Sequence, residues 1–457
     1  MTEVRSIGGR LDALPKSWPV WRLIVLVSLG GFFEFYDLMM TAYISPGLTR
    51  AGIFHAGEKG LLCISDQGVF AAATFLGLFI GTAAFAGVAD RLGRRFIFTA
   101  SLLWYTGASA MMAFASSAAT IDFWRLVAGV GIGIELVTID AYIAEWTPPA
   151  IRGRAFAVNQ AIQFLAVPIV ALACWLLVPK APLGVAGWRW VILAGSTGAL
   201  AVWFIRRGLP ESPRWLEARG RVAEAERILA RFEPRTVAPA RRDRPTEGGR
   251  QAPAPSGGIS ILFSPEYRRR TIILIVFNVF QAIGFYGFGN WAPSLIAAQG
   301  HTVIDGLGYS FAIAIAWPLG PLLCAAFADR IERKVQIVLS ALATACLGLL
   351  FARQSAPVAL IALGVAITLS NTLLSYSYHA YQTELFPTRV RATAVGFVYS
   401  WSRLSTVCSS LLIALLLARA GSGAVFALIA GAMGVVIVSV GVFGPRTNGA
   451  GLEDISP

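Results

Sequence analysis

Charge is what this sequence has least of. Of 457 residues only 14% are Asp, Glu, Lys or Arg, 56% are hydrophobic, and mean hydropathy is +0.66. A soluble chain carries about 25% charge, so a soluble multidomain protein is excluded. Histidine is scarce, at three residues, and no nucleophile–base set or metal-spaced cluster stands out. An enzyme, a metal site and a cofactor therefore have nothing to rest on. The five cysteines form no framework: Cys174, Cys324, Cys346 and Cys408 lie in apolar runs and read as core, while Cys63 stands alone in a loop. The first apolar run does not read as a secretory signal, because it is too long and has no small-residue cleavage site.

What is present is a series of apolar runs of roughly 20 residues, the length that spans a bilayer. They fall at 21–46, 65–88, 96–118, 121–144, 155–178 and 188–206, then at 269–297, 305–327, 335–353, 357–381, 392–418 and 424–444. The net charge of +13 sits in alternate gaps, and fifteen of the 38 Lys and Arg residues lie between Arg206 and Arg270. Lys and Arg near helix ends favour the cytoplasm. That places both termini and the long middle segment inside, gives twelve spans, and explains the basic charge without nucleic acid. The expected plan is residues 1–206 as one half, 207–268 as a cytoplasmic linker, and 269–457 as a second half with a short tail. In the linker, 221–232 reads as a short amphipathic helix with Ala223, Ile228 and Leu229 apolar. The Pro-, Gly- and Arg-rich 233–258 cannot bury a core.

The two halves repeat. Asp90-Arg-Leu-Gly-Arg94-Arg returns as Asp329-Arg-Ile-Glu-Arg333-Lys, and Glu145-Trp-Thr-Pro148 with Arg152 returns as Glu384-Leu-Phe-Pro387 with Arg391. The differences 329 − 90, 384 − 145 and 391 − 152 are all 239. Two separated motifs at one offset mark a duplicated unit.

These residues carry a family resemblance over nearly the whole chain. Asp90 to Arg95 resembles the loop 2–3 signature of the major facilitator superfamily, and Arg125-x-x-x-Gly129-x-Gly131-x-Gly133 its fourth-helix signature. Glu145 with Arg152-Gly-Arg154, Pro210-Glu211-Ser-Pro-Arg214, Glu384-Leu-Phe-Pro387 and the tail from Pro445 to Ile455 narrow it to sugar-porter-like members. Two positions depart: Ala86 replaces the first Gly of the loop signature, and Glu332 replaces Gly in its second copy. The resemblance implies an all-α membrane fold of two six-helix halves about a pseudo-two-fold, working by alternating access. It also implies an inner gate in which Asp90, Arg94, Glu145, Arg152, Glu211, Arg214, Asp329, Arg333, Glu384 and Arg391 pair when the inner side is shut.

Carboxylates inside the apolar runs are the next signal. An ionised one at a helix centre costs about 2.5–3.5 kcal/mol on insertion scales, so Glu34 and Asp37, three apart on one face of the first helix, call for a function. Asp37 and Arg125 both fall in the outer half of their helices, so a pair between them is allowed. Tyr36-Asp37 resembles helix one of proton-coupled sugar porters, where the carboxylate binds a proton and an arginine matching Arg125 sets its affinity. Glu34-Phe-Tyr36-Asp37 is also similar to helix one of metabolite:proton symporters, which carry organic acids. Glu135 and Asp140 lie deeper in helix four. Asp140, about 60° around from Arg125, can face the same side, and Glu135 can point at a neighbouring helix. Either is a candidate second proton site. The glycines 129, 131 and 133 lie inside an apolar helix and serve close packing.

For the cargo, Asn159-Gln160 resembles the helix-five pair with which sugar porters bind a hydroxyl. In helix seven the family's two glutamines and its asparagine are here Phe280, Gln281 and Tyr286, followed by Asn290. In helix ten its stacking Trp is His379, beside Tyr378. Helix eleven adds Trp401 and Arg403 as further candidates. Amides are lost and rings gained, so a hexose fits less well than an aromatic or small organic acid whose carboxylate meets His379 or an Arg. The sequence thus reads as a multi-pass inner- or plasma-membrane symporter of protons and a small organic acid, acting as a monomer in lipid. A sugar or polyol symporter, an efflux antiporter and a non-transporting sensor remain as alternatives.

Overall fold

A computed structural model of the chain describes residues 7–15, 17–55, 64–85, 92–148, 151–233, 258–327, 331–386 and 388–445. Asp90, Asp329, Cys63 and the side chain of Arg391 lie outside them. Among the described residues the structure is helical, without strands. The long helices are numbered α1 (Trp18–Arg50), α2 (Asp66–Phe85), α3 (Arg94–Met112), α4 (Ala118–Trp146), α5 (Arg152–Leu177), α6 (Gly187–Arg206), α7 (Arg268–Gly289), α8 (Val303–Phe327), α9 (Arg333–Phe351) and α10 (Pro357–Glu384). The continuous run Thr388–Phe443 reverses at Gly421, whose φ of 74° and ψ of −174° no helix contains, giving α11 and α12. Among the described residues ten helices are long and apolar enough to cross a membrane by length and composition. Splitting the last and adding the more polar α3 gives the twelve.

Prolines set the breaks. The helical segments ending at Phe164, Gly289 and Ala314 each stop four residues before a proline, at Pro168, Pro293 and Pro318. Proline has no N–H for the carbonyl four residues back and clashes with it, so α5 and α8 step mid-span and α7 restarts as Ala292–Ala297. Glycines set the closest contacts. Gly129 and Gly133 of α4 face the α2 backbone, while Gly131 faces Trp104 and Tyr105 of α3. A Cβ on Gly129 would lie 2.5 Å from the Thr74 carbonyl oxygen. Gly129→Val is expected to force α2 and α4 apart and to lower the melting temperature of the detergent-solubilised protein, at an overpacking cost of about 1–3 kcal/mol or more.

The repeat is visible in side chains. Arg94 Nη2 lies 3.0 Å from Glu145 Oε1, and Arg333 Nε lies 3.2 Å from Glu384 Oε1. Both 333 − 94 and 384 − 145 equal 239, so the same pair closes the same corner in each half. The N-terminal half carries an extra layer on its linker side. A short helix, Ile7–Asp12, packs Ile7 and Leu11 into one core with Leu216, Ala225 and Leu229 of the helices Pro213–Ala218 and Val222–Leu229. Arg10 pairs with Glu233 at 2.7 Å, which raises the guanidinium pKa further above its ordinary value. Of the apolar residues expected in this amphipathic helix, Leu229 is buried and Ile228 half-buried. Ala223 is exposed and Ala225 takes its place, four residues from Leu229 on one face. Cys174 and Cys324 are core, but Cys346 and Cys408 are exposed, on an outer surface that also shows Leu339, Leu342 and Leu349. In a bilayer that surface is apolar by necessity, so an apolar run does not distinguish core from lipid face.

Candidate functional site

The halves meet along α1, α2 and α5 on one side and α7, α8 and α11 on the other. Gln67 of α2 donates to Ser294 beyond α7 at 2.8 Å. Rings interlock across the seam: Phe75 with Tyr286 at 4.7 Å, Phe164 with Trp317 at 5.1 Å, and Trp175 stacked on Phe311 at 5.9 Å. These contacts run from mid-span to the face away from the linker. Nearer the linker, Asp140 of α4 and Gly396 of α11 are exposed.

Asp37 sits on α1 against α4. Arg125 Nη1 donates to Asp37 Oδ2 at 2.7 Å, its Nη2 donates to the Asp37 carbonyl at 2.6 Å, and its Nε donates to Thr74 at 3.0 Å. Ser109 of α3 donates to Asp37 Oδ1 at 2.7 Å. Arg125 has no exposure, and Asp37 has 6%. A guanidinium this deep in the protein is tolerable only with its charge met. Both carboxylate oxygens and all three guanidinium nitrogens have partners. A small cavity of about 10 Å³ adjoins Asp37, where the hydroxyls of Tyr105, Thr106 and Ser196 have no partner among the described residues. That volume is close to the least that admits one water.

Glu34 shares the helix with Asp37 but not its partner. It is fully buried, and neither carboxylate oxygen has a hydrogen-bond partner among the described residues. Around it lie the charges of Glu135, Arg403, Asp140 and Arg206. Glu135 points at a neighbouring helix, as one reading of the sequence allowed: Arg206 Nη1 of α6 lies 2.5 Å from Glu135 Oε1. The guanidinium rests on the Phe98 ring at 4.6 Å and fills the space left by Gly30 on α1. Arg206 Nε and Nη2 have no hydrogen-bond partner among the described residues. Asp140 does not join Arg125. Fifteen residues separate them, about 22 Å of helix, and Asp140 is exposed where Arg125 is not.

On the facing half, Arg403 of α11 is 1% exposed. Its Nη1 donates to Tyr286 Oη at 2.5 Å and its Nη2 to Tyr399 Oη at 2.8 Å, with both rings beside the guanidinium. No Asp or Glu lies within ion-pair distance of it among the described residues, unlike Arg125 and Arg206. His379 stands against Tyr378 at 4.1 Å and Tyr399 at 5.5 Å. Its Nδ1 donates to the Ser375 carbonyl at 2.7 Å, leaving Nε2 to accept from Tyr378 at 3.2 Å. Both ring nitrogens are thus spoken for within α10. Gln281 of α7 and Asn290 just beyond its end are buried, and among the described residues neither polar atom of the Asn290 amide has a partner. Gln160 and Trp401 are half-buried, with Trp401 edge-on to Phe397.

The gate residues whose side chains are described make these contacts within one half or between the N-terminal half and the linker segment packed on it. Besides the two repeated pairs, Arg214 binds Asp12 at 2.6 Å, and Arg152 is 3.9 Å from the same oxygen. Glu211 accepts from the Arg94 and Arg95 amides at 3.0 and 3.2 Å. Those amides begin α3 and have no carbonyl of their own turn to bind, so Glu211 caps α3 from another part of the chain. Burial raises its carboxyl pKa, and the amide bonds oppose this. Gly93 makes the cap possible: its φ is 97°, and a Cβ there would lie 2.5 Å from Glu211 Oε2. At the repeat position Glu332 has φ −58°, so the second copy has no need of glycine.

Residues 23–457 match the family model described as sugar (and other) transporter. The chain belongs to that family. Within it, the metabolite transport protein YyaJ of Bacillus subtilis is 30% identical, over 97% of this chain and 96% of that protein. The niacin transporter NiaP of Acinetobacter baylyi is 25% identical, over 98% and 99%. The xylose transporter XylE of Escherichia coli, in a partially occluded inward open conformation, superposes with a TM-score of 0.77 at 20% identity, over 95% of this chain and 100% of that one. The protein is therefore a transporter of the major facilitator fold and not an enzyme. Three site residues escaped the sequence reading. Arg206 passed for an ordinary positive charge at a helix end, and only Gly30, where it lies, hints otherwise. Tyr399 and Ser109 carry no sequence signal.

Proposed function

We propose that this transporter carries a small aromatic carboxylic acid together with a proton by alternating access. The observation that carries the reading is Arg403: a buried guanidinium held by two phenols, amid rings, with no carboxylate of its own. Burying an unpaired cation is costly, and an anionic substrate would supply the missing charge through paired N–H donors. The rings of Tyr286, Tyr378 and Tyr399 would flank a planar acid. A relative whose name gives niacin, an aromatic acid, supports the same class.

On the opposite half, Asp37 with Arg125 is the coupling site. Protonation of Asp37 would release Arg125 and loosen α1 from α4, a local change able to bias rocking of the halves. Glu34, with Glu135 and Arg206, is a second charged set nearer the substrate space. The seam closed away from the linker, with Asp140 exposed toward it, fits a state open on the cytoplasmic side. The intra-half pairs Arg94–Glu145 and Arg333–Glu384 would be free to bridge the halves in the opposite state. Uptake into proteoliposomes tests the reading. Labelled nicotinate is expected to accumulate when the interior is alkaline, and nicotinamide and xylose are not. Xylose accumulation without nicotinate would favour the second reading, a sugar symporter, for which the unpartnered Asn290 amide and buried Gln281 speak.

A further inference from the structure

One cavity lies away from the charged sites described above. A cleft of about 770 Å³ opens sideways between the linker-side end of α7 and α12. One wall is Arg268, Arg269, Ile272, Ile273 and Val276, along one face of α7; the other runs from Gly431 to Phe443 on α12. Met433 packs onto Gly284 toward mid-span, and at the linker end Arg269 Nη2 donates to the Phe443 carbonyl at 3.4 Å. Its floor is empty because two residues lack side chains. A Cβ on Gly431 or Gly434 would meet nothing within 4 Å. Ile272, Val438 and Phe443 around the opening are exposed, so the cleft faces the bilayer and not the other half.

Everything within the cleft is apolar, apart from Ser439, except its mouth, where Arg268 and Arg269 are both exposed at the first turn of α7. That is an apolar slot ending in two positive charges at the membrane surface. We propose that the cleft holds one acyl chain of an anionic phospholipid, with the phosphate on Arg268 and Arg269. A basic site between helices at the interface selects an anionic headgroup, and the glycines leave room for the chain. A zwitterionic lipid fits the slot but gains less at its mouth.

The test needs no transport activity. Detergent-purified protein would be incubated with phosphatidylglycerol or phosphatidylcholine, and retained lipid counted by native mass spectrometry. Wild type is expected to prefer phosphatidylglycerol by about thirtyfold, the factor two interfacial arginines supply. Arg268→Gln with Arg269→Gln should bring the preference close to one. Gly431→Leu with Gly434→Leu fills open space, so melting temperature should hold while retention of both lipids falls at least about tenfold, the equivalent of about two displaced methylenes of the chain. Equal retention of the two lipids by wild type, an unchanged preference in the arginine variant, or undiminished retention in the leucine variant would each overturn the proposal. A leucine variant that unfolds is replaced by Gly434→Val, read the same way.

Discussion

Replacing Asp37 by Asn is expected to abolish proton-driven accumulation while leaving exchange. A pH gradient of one unit supplies about 1.4 kcal/mol per proton, enough for about tenfold accumulation. In the Asp37→Asn protein that ratio should fall to one. Counterflow of labelled against unlabelled nicotinate should persist, since exchange needs rocking but no net proton movement. The variant has a second expected effect. Arg125 keeps its place with no counter-charge, and removing one partner of a buried pair costs about 3–5 kcal/mol. Melting temperature should therefore drop. Asp37→Asn with Arg125→Met removes both charges and should recover stability without recovering coupling. That separation tells a coupling residue from a structural one. Proton-driven accumulation by the Asp37→Asn protein would remove Asp37 from the mechanism.

Arg403→Gln is expected to weaken nicotinate uptake by about thirtyfold to several thousandfold in apparent affinity, the range for truncating one side of a buried charge pair, about 2–5 kcal/mol. Lysine keeps the charge but loses the planar fork and its stacking on rings, so Arg403→Lys should fall between. Tyr399→Phe removes one hydrogen bond that aims the guanidinium and should cost about 1 kcal/mol, roughly fivefold. The diagnostic result is selectivity. If Arg403 binds the carboxylate, nicotinate loses far more than nicotinamide, and inhibition by the two becomes similar in the glutamine variant. Equal losses for acid and amide would make Arg403 a packing residue.

The fold was readable because its signals are long and repeated. Apolar runs of membrane length, alternating basic gaps and an offset of 239 residues need no tertiary information. The offset reappears in space as Arg94–Glu145 and Arg333–Glu384. The Asp37–Arg125 contact was also readable, because helix direction and rise fix depth. What could not be read was choice of partner. Glu34 and Asp37 share a face by spacing, yet one is met by Arg125 and the other by nothing within hydrogen-bond reach. Glu135 took Arg206, which lies 71 residues away on a helix that sequence alone could not place beside α4. Arg214 and Arg152 turned to Asp12 because a short N-terminal helix docks there, and no apolar run announced it. The departure at Glu332 goes with its φ of −58°, where Gly93 of the first copy has a φ of 97°.

The buried charges of α1 also bear on how the chain enters the membrane. Glu34 and Asp37 leave the ribosome long before the residues that neutralise their surroundings. Arg125 follows Asp37 by 88 positions, and Arg206 comes only at the end of α6. At about 2.5–3.5 kcal/mol for each ionised carboxylate, α1 enters lipid at a cost that its long apolar stretch has to offset on its own. Asp37 meets its counter-charge only once the fourth helix has docked on the first.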